Sequence, residues 1–341
     1  MVSDDALVTC MLCHEPCISA CPVTVASGHQ TYAPSRLAQA AWAARQGVVP
    51  WAGVADTLYY CIDCKQCTDA CVYTEEPMNP GAMLLDLRHE MQTVVDHSVA
   101  IQAEANVVPL SALPQGQAGD YLIVADLGAP GAAASVEAAI CVLAPHPAWG
   151  YLIDLGWHLG ISGGEVSGHL ERVVEQLNQW PGPVLAAFPR DVVWLNQIIG
   201  QQWGVRLMEP VKYFAMEMPS IPEPPVPNGS KRRRAYHPSR YVVRDLRAAT
   251  QLASVIGVHD LESWWKPGSA SLGPALGIDR WTRQAMVRAT WGEFGTTEYQ
   301  AVITDDPYIA EALRDMAKDG QQVWLVPDWI ATYHQGGTND A

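Results

Sequence analysis

The sequence predicts an α+β protein, a helical N-terminal domain followed by two similar α/β units. Eight of the nine cysteines fall in two short runs within the first part of the chain, with helical spacing between and after them. From "YLIVADLG" onward, short apolar runs alternate with helical stretches, the pattern of strands layered with helices. The order strand, helix, strand, helix also occurs twice, in "VLAAFPRDVVWLNQIIGQQWGVRLMEPVKYFA" and in "AVITDDPYIAEALRDMAKDGQQVWLVPDWIA". Each copy has a proline, Pro189 or Pro307, between its first strand and the following helix, so we expect a duplicated α/β unit.

Between the cysteine runs, "YAPSRLAQAAWAARQG" places Ser35 as a helix cap. Leu37, Ala40, Ala41 and Ala44 follow at helical spacing, and Gly47 ends the helix. This helix is a spacer, not a site. After the second run, a helix starts at Asn79 with Pro80 in its first turn and carries Met83, Leu84, Leu87, Met91, Val94 and Val95 on a broad apolar face. A strand is expected over Tyr121 to Asp126. Prolines at 219, 222, 224, 225 and 227 make Met218 to Gly229 a stiff linker. The expected domains are therefore residues 1–105, 118–217 and 231–335, with a linker at 218–230.

With 341 residues, 49% of them hydrophobic, the chain can fill real cores without disulfides. The start "MVSDDALVTC" has acidic residues and no apolar stretch, and no run approaches the roughly 18 apolar residues of a membrane span. A cytoplasmic location is expected, where thiols stay reduced and clustered cysteines point to metal. A net charge of −15 argues against general affinity for nucleic acid or anionic lipid. The exception is "KRRR", Lys231 to Arg234, which is either a solvated linker end or a docking patch for an acidic partner or membrane surface.

The runs are "CMLCHEPCISACP", with Cys10, Cys13, Cys17 and Cys21, and "CIDCKQCTDAC", with Cys61, Cys64, Cys67 and Cys71. A 4Fe-4S cube needs four converging thiolates. Three come from one tight loop, and in two-cluster ferredoxins the fourth cysteine of each run serves the other cluster. Applied here, Cys10, Cys13, Cys17 and Cys71 hold one cube, and Cys61, Cys64, Cys67 and Cys21 the other. Pro22 follows Cys21 as the bacterial pattern expects, whereas Val72 follows Cys71, and the insertion "HEP" widens the first run by one residue. Two structural zinc sites of four cysteines each are the alternative. Zinc more commonly pairs two separated CxxC knuckles than two crowded runs of four.

His14 lies inside the first run and suits solvent or an outer role better than ligation. Lys65 and Gln66 are placed to tune the second cluster, since a cation or amide donor stabilises the reduced form. Cys141, alone in "EAAICVLAP", is expected to be a buried small hydrophobe. "GISGGEVSG" at 160–168 lacks the ending of a phosphate loop and is expected to be a flexible turn. "LGAPGAAAS" is no dinucleotide fingerprint. No serine, histidine and acid set stands out.

These features resemble the iron–sulfur subunits related to heterodisulfide reductase, including the small iron–sulfur subunits of anaerobic glycerol-3-phosphate dehydrogenase and glycolate oxidase. "PSRLAQAAW" followed by "YYCIDCKQCTDAC" carries the most specific local similarity. The resemblance covers nearly the whole chain. It implies a two-cluster ferredoxin-like domain joined to a duplicated cysteine-rich domain, whose repeats carry a CCG motif that binds a noncubane cluster in the catalytic members. This chain has no CCG. Ser239 in "AYHPSRY" stands where the family has a cysteine, Asp306 and Ile309 stand in a second pair of cysteine places, and Phe188 and Asp191 in the first repeat's. The resemblance therefore implies that the fold is kept and the second metal site lost, because cluster chemistry favours thiolates.

The expected role is electron transfer through two 4Fe-4S clusters, without catalytic residues of its own. A flavin dehydrogenase or hydrogenase is the expected donor, and a membrane cytochrome b or quinone-linked subunit the acceptor, membrane association coming only through such partners. An autonomous reductase of disulfides or other small substrates and a zinc-stabilised scaffold are the alternatives. Some of the 13 tryptophans offer aromatic anchors for partners, though core packing accounts for most of them.

Overall fold

The computed structural model describes residues 2–62, 64, 66–71, 79–94, 117, 119–126, 129–143, 146–153, 163–198, 206–218, 233–239, 241–242, 246–258, 281–282, 285–286, 288, 299–317 and 320–336. The chain divides into two compact units. One comprises Met1–Ile101, Gly156–Val166 and Trp265–Glu293, the other Gln102–Leu155, Ser167–Trp264 and Phe294–Ala341.

The first unit is helical over its described residues. Helix α1 (Asp4–Leu12) is capped by Ser3, whose hydroxyl accepts the Ala6 N–H at 3.2 Å, and Asp4 and Asp5 sit in the first turn where the helix dipole favours them. Two short helices follow, α2 (Cys17–Ala20) and α3 (Pro22–Ser27). The expected spacer helix is α4 (Pro34–Arg45), but its cap is Ala33 and not Ser35. Pro34, with its φ preset for a helix, takes the first position, so Ser35 falls inside the turn and is buried. Gly47, at φ 70, ends the helix, its N–H donating to the Ala44 carbonyl at 3.1 Å.

Helices α5 (Ala52–Leu58), α6 (Gln66–Asp69) and α7 (Pro80–Val94) complete the series. Leu7, Leu37, Ala41, Leu58, Leu84 and Leu87 meet in one core, joining α1, α4, α5 and α7. Arg45, in the last turn of α4, ties three of these helices together. Its Nε donates to Glu90 Oε1 at 2.7 Å, and its Nη1 donates to Asp4 Oδ1 at 3.0 Å and to the Val2 carbonyl at 2.9 Å.

The second unit holds two parallel sheets. The first contains β1 (Tyr121–Asp126), β2 (Ala148–Ile153), β3 (Val184–Ala186) and β4 (Lys212–Tyr213) in the order β2-β1-β3-β4. Leu122 pairs with Trp149 on one side and Val184 on the other. Helices α8 (Ala132–Leu143), α9 (Gly163–Gln179) and α10 (Pro189–Val193) lie between successive strands, and a 3-10 turn, Phe214–Glu217, follows β4. Strands of a parallel sheet are covered on both faces, which is why Leu122 through Asp126 are all buried instead of alternating.

The other sheet contains β5 (Arg233–His237), β6 (Tyr299–Thr304) and β7 (Gln322–Leu325) in that order. It is accompanied by α11 (Ala249–Val255), α12 (Pro307–Arg314) and α13 (Val326–Gly336). Helix α13 packs against α8, which links the two sheets within this unit.

Three expectations change here. Cys141 is exposed, not buried, because α8 turns Ala132, Ser135, Val136, Ala139 and Leu143 inward and leaves position 141 on the opposite face. Arg233 and Arg234 open β5 and are not a linker end; the Arg234 guanidinium lies 5.7 Å from the centre of the Trp329 ring. Lys231, Arg232 and the proline segment from 219 lie outside the described residues. The glycine-rich "GISGGEVSG" runs into α9 at Gly163, so part of the expected turn is helix. Among the tryptophans, Trp194 is core, while Trp149 and Trp281 are exposed. No helix among the described residues is long and apolar enough to cross a membrane.

Candidate metal centre

Cys10 lies on α1 within the helical core, and Cys13 follows immediately as the C-cap of that helix. Glu15 then takes a left-handed φ of 56, which absorbs the extra residue of "HEP" and lets α2 begin at Cys17. That conformation costs a non-glycine residue roughly 1–2 kcal/mol. In return the Glu15 N–H donates to Cys13 Sγ at 3.2 Å, and the Glu15 carboxylate pairs with Arg36 at 3.1 Å. Cys21 stands between α2 and α3, where Pro22 opens the latter.

In the second run, Cys61 follows α5 and its N–H donates to the Leu58 carbonyl at 3.3 Å. Cys64 is buried, Cys67 is buried on α6, and Cys71 comes just after that helix. Helix α6 packs against α2, so the turns carrying Cys17 and Cys67 are neighbours. The Thr68 hydroxyl contacts Asn79 Oδ1 at 2.7 Å and accepts the Gly81 N–H at 3.3 Å, which fastens the run to the start of α7.

Electrostatics reveal which cysteines meet. Burial pushes the Cys10 thiol up to about 12, and repulsion from Cys17, Cys13 and Cys71 adds to it. Cys67 is raised well above its ordinary value by burial first, then by Cys64, Cys61, Cys21 and Cys17. Burial also raises Cys17, opposed by the N–H and hydroxyl of Ser35, which faces the thiol without closing a full hydrogen bond.

None of the nine cysteines forms a disulfide. Cys10, Cys17 and Cys67, raised by burial, hold their protons until a cation neutralises the thiolates, which is what bound iron does. Among the described residues, no three Cys, His, Asp or Glu side chains close on a single ion. A cube spreads its thiolates over four irons, farther apart than the ligands of one ion, and the donor set of eight thiols fits two such cubes.

Of the tuning candidates, His14 is exposed, Gln66 begins α6, and Lys65 lies outside the described residues. The expected replacements at the second metal site all have structural roles. Phe188 and Ile309 are buried core. Asp191 is fully buried, and its Oδ2 accepts the Asp126 N–H at 3.0 Å. Asp306 caps α12, Oδ1 accepting the N–H groups of Tyr308 at 2.9 Å and Ile309 at 3.1 Å. Ser239 donates its N–H to Asp305 Oδ1 at 2.8 Å, and its hydroxyl accepts the Val242 N–H at 3.4 Å.

Sequence reasoning missed the buried charges that accompany these positions. Arg190 and Asp305 carry no local signal of burial beyond standing at the ends of apolar strands. Arg88 had one: it follows Leu84 by one helical turn, on the apolar stripe of α7.

The family model of the 4Fe-4S dicluster domain matches residues 6–74, which span both cysteine runs. No curated protein and no solved structure matches the chain. The N-terminal region is an iron–sulfur domain for two 4Fe-4S clusters, the equipment of electron transfer.

Proposed function

We propose that this chain is the electron-transfer subunit of a larger redox complex. One cluster is held by Cys10, Cys13, Cys17 and Cys71, the other by Cys61, Cys64, Cys67 and Cys21. The observation that carries this reading is the exchange of fourth cysteines: Cys71 lies among the neighbours of Cys10, and Cys21 among those of Cys67. Cys17 also neighbours both Cys21 and Cys67, so the two ligand groups adjoin, as a relay requires.

When bound, the clusters supply one-electron carriers, suited to the junction between two-electron chemistry and one-electron acceptors. A flavin dehydrogenase or hydrogenase is the proposed donor and a cytochrome b or quinone-linked subunit the acceptor, with contact to the inner face of the cell membrane made through those partners. The α/β unit acts as the scaffold for the iron–sulfur domain. Its two sheets support a duplication across residues 118–217 and 231–335: β5-β6-β7 repeats the parallel order of β1-β3-β4, and Pro189 and Pro307 each open the helix after the middle strand. This arrangement agrees with the likeness to subunits related to heterodisulfide reductase, Phe188, Asp191, Ser239, Asp306 and Ile309 standing in the cysteine places of that family's repeats.

Anaerobic purification under mild detergent, with iron, labile sulfide and subunits counted, tests the proposal. A fixed complex with a dehydrogenase or hydrogenase and a haem or quinone subunit supports it. Stoichiometric zinc without sulfide overturns the clusters, and reduction of a disulfide by the isolated chain favours an autonomous enzyme.

A further inference from the structure

Among the described residues Arg88 and Arg190 are buried, and Arg45 and Arg234 are half-buried. Arg45 pairs with Asp4 and Glu90, and Arg190 with Asp126 and Asp191. Arg88 differs. Its residue is 8% exposed, yet among the described residues no carboxylate pairs with it. Its Nε donates to the Leu58 carbonyl at 2.9 Å, its Nη2 donates to the Cys61 carbonyl, and its guanidinium lies 5.7 Å from the centre of the Tyr59 ring.

A buried guanidinium needs a counter-charge, because carbonyl dipoles and a ring face offset only part of the desolvation it suffers. Four thiolates on an iron–sulfur cube leave a net negative charge, which grows by one on reduction. One of the two carbonyls holding Arg88 belongs to Cys61, a proposed ligand. We infer that Arg88 is the counter-charge of the cluster held by Cys61, Cys64, Cys67 and Cys21, and that it raises that cluster's reduction potential above the value the cysteines alone would set. The inference rests on the proposed ligand assignment. Arg88 is a positioning and tuning residue, because a cation fixed in a low-dielectric setting favours the reduced state of a cluster beside it. The arrangement also distinguishes the two clusters, since the guanidinium touches the backbone of the second run.

The test is a redox titration of the full chain, prepared anaerobically with both clusters and followed by electron paramagnetic resonance, for wild type, R88Q and R88K. C64S identifies the signal of the second cluster. The expected result is full iron in each arginine variant, a more negative potential for that cluster alone in R88Q, and recovery toward wild type in R88K, which keeps the charge. Unchanged potentials in R88Q with both clusters present overturn the inference and leave the electron-transfer reading standing. An equal fall in R88K also overturns it. If R88Q loses the second cluster, R88K decides: near-normal potential with full iron supports the charge, and loss of the cluster there too reduces Arg88 to a structural tie. A wild-type chain whose clusters accept no electron removes both this inference and the proposed function.

Discussion

Arg190 Nη2 lies 2.6 Å from Asp126 Oδ2, and the two side chains are only 3% and 5% exposed. Asp126 ends β1, and Arg190 stands in the first turn of α10 just after β3, so the pair joins adjacent strands at their C-terminal ends. The same guanidinium reaches Asp191 at 3.4 Å and lies 5.1 Å from the centre of the Tyr308 ring on α12, which brings the second sheet into the cluster.

Removing the cation leaves two buried carboxylates uncompensated. R190M is expected to destabilise the α/β unit by about 3–5 kcal/mol. Urea unfolding followed by tryptophan fluorescence measures this, with iron content unchanged because the cysteines are untouched. A triple variant with D126N and D191N recovers most of the loss; if it does not, the charges were not the cause.

Asp305 gives the α/β unit a pH dependence opposite in sign to the usual carboxylate. Burial pushes it up to about 7, against hydrogen bonds from Ser239 and Tyr236 that favour the charged form, with Asp306 adding to the rise. The folded chain therefore holds this proton more tightly than the unfolded chain, where the pKa is about 4. Its contribution is full below about pH 4 and is lost as pH rises through about 7. Asp191, raised to about 6 chiefly by burial, acts in the same direction. Stability should fall between pH 5 and pH 7, by up to about 1.4 kcal/mol per pH unit for each group. D305N, neutral throughout, should flatten that slope in unfolding curves taken across the range.

The two classes of cysteine should separate by iron content. C64S is expected to lose or perturb one cluster of four irons and to block electron passage, while C141S, on the exposed face of α8, leaves iron and sulfide unchanged. Equal iron in both variants, with equal turnover in the intact complex, would count against the relay.

Gly182 sits where β3 approaches the start of β1. A methyl added there would stand 2.0 Å from the Asp120 carbonyl oxygen, a backbone atom that cannot swing away. G182A should therefore cost about 1–3 kcal/mol by forcing the strands apart. G53A has only the Pro50 ring near it at 3.7 Å and should cost little, so the pair of melting curves tests the clash directly.

The sequence by itself determined the cysteine runs, the helix opened by Pro80, the strand Tyr121 to Asp126 and the order of elements around Pro189 and Pro307. Each of these is written in local chemistry: ligand spacing, a preset φ, an unbroken apolar run. It also misplaced what depends on facing. Ser35 has the composition of a cap, but Pro34 shifts the helix start and turns Ser35 toward Cys17. Cys141 lies in an apolar run, but the period of α8 sends it outward. Only the tertiary structure brought α2 against α6, which makes neighbours of the turns that carry Cys17 and Cys67. It alone also buried Arg88, Arg190 and Asp305, each of which has a partner at least 27 residues away in the chain. A charged side chain is compatible with solvent or core until its counter-charge arrives, and that arrival is a property of the assembled fold.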